Sequence, residues 1–366
     1  MPASLDASEP IVLVSAFTAG EEGAIHAYGF DSQNGQLKLL QRTTDVEHPF
    51  FLAISPDEQF LYSIEAEEFG GVEDEYVVAY AIEGDAGKLR RLNRQSARGT
   101  ASCYLDVDAS GKSVLVANYA SGSVAALPVR QDGSLSPAAS FLQHSQWGDE
   151  AHREKGAKAH CIVVSPDNRF TLAADLGIDK ILVYHLGANS AELTTDEAQP
   201  FVELPRGSGP RHLTFHPNGE RVYVINELNS TVAFFDYAID SGKLTQRQIV
   251  STLPEDFSGK SFTADVKITP DGKFLYGTNR GHDSIAMFHI ADDGQLQRVG
   301  IEPSLGAGPQ NLLITPDGRW LMCANMPGNN LVVFAIDANT GALQATGNPI
   351  SIPMPSCIRW LTNTQK

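Results

Sequence analysis

One short turn motif recurs along the chain at nearly constant spacing. The motif has the form x-Pro-Asp/Asn-(Gly), and its copies stand between short apolar runs. The copies are SPDE (55–58), the degenerate DASG (108–111), SPDN (165–168), HPNG (216–219), TPDG (269–272) and TPDG (315–318). Measured at the proline position, the intervals between successive copies are 53, 57, 51, 53 and 46 residues. A repeat of about 50 residues predicts a fold assembled from equivalent units.

Each unit has the pattern of four short strands. Proline fixes φ and glycine accepts a positive φ, so Pro-Asp-Gly between two apolar runs predicts a tight hairpin. A third apolar run follows (VAALPV, KILVYHL, VAFFDYA, IAMFHI and LVVFAI), then a turn rich in Asp and Gly, and then a weaker fourth strand. Four antiparallel strands in every unit are typical of a β-propeller blade.

The two ends of the chain supply a seventh unit. The N-terminal part contains IVLVSA, AIHAYGF and QLKLLQ with no inner strand before them, and the C-terminal part contains CIRWL. Outside residues 143–159, no 11-residue window free of Pro and Gly has a 3.6-residue period. We therefore predict an all-β, seven-bladed β-propeller that forms one domain over residues 1–366. Its ring is expected to close where the C-terminal strand joins the three N-terminal strands.

Composition narrows the class of partner. The formal net charge is −17, which argues against a surface for nucleic acid or for an anionic membrane. The four cysteines lie far apart without a CxxC pair, and the first ten residues, MPASLDASEP, lack the basic and apolar segments of a secretory signal. We expect a cytoplasmic protein. An anionic substrate would require the few basic residues to be gathered in one place.

We take the proline position of each motif copy as a marker, and we call the set of residues at one fixed distance from the markers a column. The columns show which side chains converge, because the connections into the first strand and between the second and third strands emerge on one face of a blade. Six residues before the marker stand Phe50, Cys103, His160, Arg211, Ala264 and Gln310; five before it stand Phe51, Tyr104, Cys161, His212, Asp265 and Asn311. Nine residues after it stand Glu65, Asn118, Asp175, Asn226, Asn279 and Asn325; ten after it stand Ala66, Tyr119, Leu176, Glu227, Arg280 and Met326.

Ionisable residues are concentrated in three adjacent units of these columns. Counting blades from the marker at 56, blades three, four and five are expected to bring together His160, Arg211, His212, Glu227, Asp265 and Arg280. Acid–base chemistry and anion binding need these residue types. A position that is ionisable in only a few adjacent units is better explained by a functional site than by a structural role in every blade.

Structural alternatives remain open for several of these residues. The Asn/Asp/Glu column is expected to cap strand ends, and the alternative is a ring of oxygen ligands for Ca²⁺. Arg211 and Glu227 could form a salt bridge within one blade, and Arg280 could be an arginine of the rim. Cys103 and Cys161 are expected to be packing residues.

Two long loops enter blades three and five on the same face. Residues 141–160 contain Arg153, Lys155 and Lys158, and residues 253–265 contain Lys260. A solvated charged loop is the default interpretation of such a segment. The alternative is a lid that brings cationic charge to an anionic substrate, and the position of both insertions beside the same blades favours a site there.

The motifs of blades three to five resemble the seven-bladed propeller family of 6-phosphogluconolactonases, to which the 3-carboxy-cis,cis-muconate lactonizing enzyme is related. The resemblance is carried by GPRHLTFHPNGERVYVINELNSTV, PEDFSGKSFTADVKITPDGKFLYGTNR and AHCIVVSPDNRF, and weaker similarity covers essentially the whole chain. It implies the site residues His160, Arg211, His212, Glu227, Arg280 and Arg153. Two positions depart from the pattern: Lys158 stands where many members have a second histidine, and Gln310 where an arginine is common.

The resemblance implies hydrolysis of 6-phospho-D-glucono-1,5-lactone to 6-phosphogluconate, a step of the pentose phosphate pathway. We expect His160 or Glu227 to be the general base that deprotonates water, and Arg211 to stabilise the oxyanion. The phosphorylated sugar lactone is expected to be bound by Arg280, His212, Arg153, Asp265 and Lys260. No cofactor or metal is expected, and the protein is expected to be a monomer or a weak homo-oligomer.

Three other functions remain open. The same base and arginines would serve a lactonizing enzyme (cyclase) of the muconate type, because different reactions share this scaffold. A Ca²⁺-dependent sugar lactonase would use the Asn/Asp/Glu column as ligands. A non-catalytic interaction propeller would need none of these side chains for chemistry.

Overall fold

The computed structural model describes residues 9–144, 156–188 and 190–362, which contain seven β-sheets. No α-helix is present in these residues, and a short 3₁₀ helix at Gly20–Glu22 follows the first strand. Within them, no helix has the length and apolar character needed to cross a membrane.

The strands follow the predicted repeat. The first three are β1 (Ile11–Ala16), β2 (Ala24–Asp31) and β3 (Gln36–Thr43). Blade one contains β4 (Leu52–Ile54), β5 (Phe60–Glu65), β6 (Tyr76–Glu83) and β7 (Lys88–Ser96), and blade two contains β8 (Ser102–Val107), β9 (Ser113–Asn118), β10 (Ser123–Pro128) and β11 (Ser140–Gln143). Blade three contains β12 (Ala159–Val164), β13 (Phe170–Asp175), β14 (Lys180–Leu186), β15 (Leu193–Thr195) and β16 (Phe201–Glu203).

The second half continues in the same way. Blade four contains β17 (Pro210–Phe215), β18 (Arg221–Asn226), β19 (Thr231–Ala238) and β20 (Lys243–Ser251), and blade five contains β21 (Phe262–Ile268), β22 (Phe274–Arg280), β23 (Ser284–Ile290) and β24 (Leu296–Pro303). Blade six contains β25 (Pro309–Ile314), β26 (Trp320–Asn325), β27 (Asn330–Ile336) and β28 (Leu343–Ser351), and the last strand is β29 (Pro355–Leu361).

The seven inner strands form a closed ring around a central channel. Each contacts the inner strands of its two neighbours, in the cyclic order β29, β4, β8, β12, β17, β21, β25. β29 pairs antiparallel with β1, with Ile358 opposite Val14, and completes the sheet of β1–β3. The predicted seven-bladed propeller and its closure by the C-terminal strand are confirmed. Blade three departs from the repeat, since its outer edge is split into β15 and β16, which both pair with β14.

The apolar core lies between neighbouring blades. Between blades four and five, for example, Tyr223 and Phe234 pack in one buried cluster with Leu275 and Phe288. The second strand of each blade is therefore apolar on both faces. This explains why VYVI and FLYG are continuous apolar segments and do not alternate between apolar and polar residues.

The repeated turn has the backbone that its residues predict. Its fourth position has a positive φ in every copy, with values of 70–75° at Gly111, Gly219, Gly272 and Gly318. Where the copy lacks glycine, Glu58 and Asn168 adopt φ of 57° and 61°. The amide of this residue donates to the carbonyl of the first turn residue, at 2.8 Å in SPDE. These turns lie on the face opposite the ionisable columns.

In blades two, five and six, the Asn column connects the second strand to the preceding blade. Asn118 Nδ2 donates to Ala97 O (2.9 Å) and its Oδ1 accepts from Ser102 Oγ (2.7 Å). Asn279 repeats the arrangement, since Nδ2 donates to Thr252 O (3.1 Å) and Oδ1 accepts from Thr252 Oγ1 (2.6 Å). The amide oxygens of Asn118 and Asn279 are engaged within the scaffold, which supports the architectural interpretation at these positions, whereas Asn226 Oδ1 is buried without a hydrogen-bond partner.

Candidate active site

β-Bulges at the start of the inner strands determine which side chains reach the site. The register slips by one residue at Cys103, His160, Arg211 and Gln310, and in the composite seventh blade at Ser356. A bulge inserts an extra residue opposite a single partner residue and re-aims its side chain. This explains why two consecutive columns, six and five residues before the marker, both reach the same end of the channel.

Glu227 lies between two arginines of different blades. Its Oε2 is 2.8 Å from Arg211 Nε and 2.8 Å from Arg280 Nη2. Arg211 is only 2% exposed. The Nε–H of Arg211 makes no hydrogen bond despite this short distance, so its contact with Glu227 is an ion pair without a well-directed hydrogen bond. Two guanidinium groups and one carboxylate leave this cluster with a formal charge of about +1.

Arg280 is held by several oxygens at the end of β22. It donates to Phe262 O (3.3 Å), Thr263 O (3.1 Å) and Gln310 Oε1 (3.4 Å). Burial and the nearby charge of Arg211 lower the pKa of Arg280 to about 10, so the group remains cationic at neutral pH. Gln310, at the position where the family pattern has an arginine, therefore supplies a neutral acceptor for Arg280.

His160 lies beside this cluster as a neutral imidazole. Burial, followed by the charges of Arg211 and neighbouring groups, holds the pKa of His160 well below its usual value. Its Nδ1 is 3.5 Å from Cys103 Sγ, and its ring is 5.2 Å from that of Tyr119. Burial raises the pKa of the Cys103 thiol, whose hydrogen can point to the carbonyl of His160 at 3.4 Å. With the thiol hydrogen directed at that carbonyl, the sulfur can accept Nδ1–H, and this tautomer places the lone pair of His160 on Nε2.

His212 and Asp265 lie deeper in the channel, behind Arg211. His212 Nδ1 is 2.9 Å from Asp265 Oδ1, and His212 Nε2 is 3.1 Å from Arg211 Nη1. The rings of His160 and His212 are 5.5 Å apart. The structure thus brings five of the predicted residues into one connected cluster, with His160 in ring contact with it.

Of the two loop residues predicted to bind substrate, the structure describes Lys260 but not Arg153. Lys260 is exposed, and its carbonyl oxygen lies so close to Gly281 that an added Cβ would approach it to 2.5 Å. This glycine therefore allows the 253–261 loop to lie next to Arg280. Arg153 and Lys155 fall outside the described residues. The roles of Arg153 and Lys260 stay predictions.

Two residues near the site were not among the expected site residues. Tyr119, the one aromatic residue ten positions after a marker, packs on His160, and the Lys158 ammonium lies 5.5 Å from the centre of the Tyr119 ring. Lys267, whose Nζ is 2.8 Å from Asp265 Oδ1, is the other. It is the only lysine three residues before any marker, and that column would have revealed it.

A seven-bladed ring with histidine, glutamate and paired arginines at one mouth of the channel is a propeller whose site can bind an anionic small molecule. The family model described as "Lactonase, 7-bladed beta-propeller" matches residues 11–360, and the chain belongs to this family. The protein is a lactone-hydrolysing enzyme.

Relatives and solved structures agree with this family over nearly the whole chain. The chain is 34% identical to a 6-phosphogluconolactonase of Bacillus subtilis, over 95% of this chain and 97% of that protein. It is similar to the structure of a periplasmic gluconolactonase from Pseudomonas aeruginosa, with a TM-score of 0.89 and 32% identity, covering 97% and 99% of the two chains. A putative 6-phosphogluconolactonase from Bacteroides fragilis has a TM-score of 0.88 and 33% identity, with coverage of 99% and 100%.

Proposed function

We propose that the protein hydrolyses 6-phospho-D-glucono-1,5-lactone to 6-phosphogluconate, the lactonase step of the pentose phosphate pathway. The observation that carries this proposal is the Arg211–Glu227–Arg280 cluster beside the neutral His160. In a protein of net charge −17, this cationic cluster offers an anionic lactone a local attraction that the rest of the surface opposes. The name of the Bacillus subtilis relative supports the same substrate.

The geometry supports a general-base mechanism. The Nε2 lone pair of His160 takes a proton from water, and the resulting hydroxide attacks the lactone carbonyl. The guanidinium groups of Arg211 and Arg280 stabilise the negative charge that develops on the carbonyl oxygen. The bond from the carbonyl carbon to the ring oxygen then breaks, and protonated His160 returns its proton to that oxygen. The products are one hydroxyl group and one carboxylic acid, which becomes a carboxylate when it releases its proton to solvent.

Glu227 has the role of a counter-charge in this mechanism. Its contacts with Arg211 and Arg280 keep two guanidinium groups side by side. Both guanidinium groups contact the same oxygen, Oε2, so this carboxylate is engaged with the arginines rather than directed at water. His160 is therefore the proposed base.

The direct test is lactone hydrolysis by the purified protein. Freshly generated 6-phosphogluconolactone should be hydrolysed far faster than in buffer alone, and His160→Ala should lower kcat by about 100-fold or more. His216→Ala is the matched control, because His216 lies in the repeated turn on the opposite face. A wild-type protein that does not accelerate hydrolysis of the phosphorylated lactone would disprove the proposed substrate.

A second candidate substrate is unphosphorylated glucono-1,5-lactone, which the name of the Pseudomonas aeruginosa protein favours. Lys158 provides a way to distinguish the phosphorylated lactone from the unphosphorylated lactone as the substrate. Its ammonium donates to Ala120 O (3.1 Å), lies against Tyr119 and forms no ion pair within the described residues. It is available to a phosphate group as a compact cation.

We expect Lys158→Met to raise KM for the phosphorylated lactone by about tenfold, because the loss of one cation is comparable to the loss of a charged hydrogen bond. KM for gluconolactone should stay unchanged. The same substitution at the exposed Lys260 is the control for a general loss of positive charge. Equal effects of Lys158→Met on both lactones would show that Lys158 does not contact the phosphate.

A further inference from the structure

Asp265 is a fully enclosed carboxylate at the centre of the channel. It is 1% exposed, and its Oδ1 accepts from His212 Nδ1 (2.9 Å) and Lys267 Nζ (2.8 Å). Its Oδ2 accepts from Asn311 Nδ2 (2.7 Å), the Leu312 amide (2.9 Å) and Lys267 Nζ (2.9 Å). Burial alone would raise its pKa, but the Lys267 ammonium and these hydrogen bonds hold the pKa of Asp265 well below its usual range. Both oxygens are occupied, so no site for a substrate is left on this residue.

The ionised Asp265 determines which nitrogen of His212 carries the proton. A carboxylate can only accept, so His212 Nδ1 carries the hydrogen and donates it. Burial and the charge of Arg211 lower the pKa of His212 to about 3, so the ring is neutral. Its Nε2 then has a free lone pair, and Arg211 Nη1, at 3.1 Å, donates to it.

His212 holds one edge of the buried Arg211 guanidinium. Arg211 Nη1 also donates to Ala264 O (2.6 Å), while Arg211 Nε faces Glu227 on the other edge. Because the Nε contact lacks a directed hydrogen bond, the orientation of the guanidinium plane depends on the bonds at Nη1.

Lys267 connects this network to the opposite mouth of the channel. Asp265 and Lys267 are two residues apart on β21, so their side chains lie on the same side of the strand. The Lys267 side chain is 28% exposed and lines a cavity of about 540 Å³, together with Asp106, Thr214 and Arg359. Ala109, Ser165 and Pro166 of the repeated turns of blades two and three also line this cavity, so it lies at the end of the channel away from Glu227 and Arg280.

We propose that Lys267 and His212 are positioning residues for Arg211: the Lys267 ammonium keeps Asp265 ionised, Asp265 fixes the tautomer of His212, and His212 orients the guanidinium. A residue reached from the opposite mouth thereby contributes to the acid limit of the reaction, together with the protonation of the general base His160. The proposal rests on the proposed function for the role of Arg211 in the chemistry.

The charged and titratable groups around His212 come from four blades. Arg211 is its neighbour on β17, and Asp265 and Lys267 lie on β21. The His160 ring on β12 is 5.5 Å away, and the Tyr104 ring on β8 is 4.9 Å away. Arg211 and Lys267 lower the pKa of His212 and Asp265 raises it, so loss of the Lys267 charge favours uptake of a proton by the Asp265–His212 pair.

The first measurement needs no activity. In protein with ¹⁵N-labelled histidine, wild-type His212 should show the Nδ1–H tautomer and stay neutral down to about pH 4. An Nε2–H tautomer, or protonation of His212 near its ordinary pKa, overturns the proposal. Because the spectrum reports the network directly, this result is independent of whether the protein hydrolyses the phosphorylated lactone.

The second measurement is the pH profile of Lys267→Gln. In this variant the Asp265–His212 pair should take up a proton at a higher pH than in the wild type, and the acid limb of kcat should move upward, because the added proton disturbs the His212 tautomer on which the orientation of Arg211 depends. Lys267→Arg should restore the wild-type profile, and Arg359→Gln, which removes a cation of the same cavity that does not touch Asp265, should leave it unchanged. An acid limb that stays in place in folded Lys267→Gln contradicts the proposal.

A pair of His212 variants keeps the test decisive if Lys267→Gln does not fold. Gln can present an oxygen near the position of Nε2, whereas Asn can present only a donor near Nδ1. His212→Gln should therefore retain more activity than His212→Asn, and the two variants should differ in kcat. The reverse order would show that the acceptor at Nε2 is not what matters.

Discussion

At the scale of single residues, the charge balance of the site depends on Glu227. Arg211 and Arg280 come from different blades and share one oxygen of this carboxylate. Two guanidinium groups with little access to water repel each other unless a counter-charge lies between them. When the lactone carbonyl becomes an oxyanion, a second negative charge enters the same space. The cluster is therefore suited to bind more tightly as negative charge develops, which is the condition for catalysis.

We expect Glu227→Gln to lower kcat/KM by about 100-fold, because the arginines separate when the carboxylate is lost. The matched control is Glu203→Gln, which removes a carboxylate that pairs with Lys180 on the outer edge of blade three and is 65% exposed. Lactone hydrolysis at saturating and at low substrate measures the effect. An unchanged kcat/KM in Glu227→Gln would show that the shared oxygen has no role in the reaction.

Glu65 offers a separate prediction about pH. It is buried at the end of β5, accepts a hydrogen bond from Tyr80 Oη (2.5 Å) and has a pKa raised by burial to about 7. A carboxyl with a raised folded-state pKa contributes stability that is present below its unfolded pKa and is lost as pH rises through about 7. Gln cannot ionise, so Glu65→Gln escapes this loss.

The difference in free energy of unfolding between wild type and Glu65→Gln should therefore shift in favour of the variant as pH rises from about 4.5 to 8. The shift amounts to about 3 kcal/mol, at about 1.4 kcal/mol per pH unit between the two pKa values. Urea unfolding at both pH values measures it, and the more exposed Glu83→Gln serves as control. A pH-independent difference would mean that Glu65 is already ionised when buried.

At the scale of elements, the repeated unit explains what was predictable from the sequence. The Pro-Asp-Gly turns depend on local backbone preferences, so their positions fixed the blades, and residues such as Gly219 and Gly272 adopt the expected positive φ. The columns of the site followed from the same alignment. The contacts between the site residues could not be predicted in this way, because side-chain packing between blades decides whether Glu227 contacts His160 or two arginines.

Two further features of the elements were beyond the sequence pattern. The bulge that re-aims His160 and Arg211 is a register slip between paired strands, which a single strand does not reveal. The split of the blade-three edge into β15 and β16 likewise depends on pairing with β14. The contact of Lys267 with Asp265 was not predicted, because Lys267 lies further along β21 than the positions compared at the mouth of the channel.

The asparagines at the ends of the second strands should contribute to stability by connecting neighbouring blades. Asn118 ties the end of β9 to Ala97 of the preceding blade and to Ser102 of its own inner strand. Asn118→Ala leaves these buried groups without partners, which should lower the free energy of unfolding by about 2–3 kcal/mol. Thermal unfolding measures the loss. Ser123→Ala, which removes the 3.2 Å contact with Asn118 and a 3.1 Å contact with Ser121 Oγ but leaves both bonds of Asn118 to Ala97 and Ser102, should cost less. Equal costs for both variants would contradict the proposed tie between blades.

At the scale of the whole molecule, the site exists because the ring is closed. His160, Arg211 and Arg280 come from three consecutive blades, and their spacing is fixed only when all seven inner strands contact both neighbours. That contact depends on β29, which pairs with β1 and packs between β25 and β4. Without it, the molecule would have exposed strand edges at the gap.

A chain that ends at Pro353 should therefore lose cooperative unfolding and lactonase activity together, although no residue of the candidate site is removed. A synthetic peptide with residues 353–362 should restore both, since it supplies the missing strand and its buried Cys357, Ile358 and Leu361. The same peptide with Ile358→Asp is the control, because a charge would enter the core between blades. If the shortened chain is insoluble, the full chain with Ile358→Asp should show a melting temperature lower by about 10 °C or more. A shortened chain that melts and turns over like the wild type would show that blade seven is stable on three strands, and that the ring does not need its closing strand to hold the site.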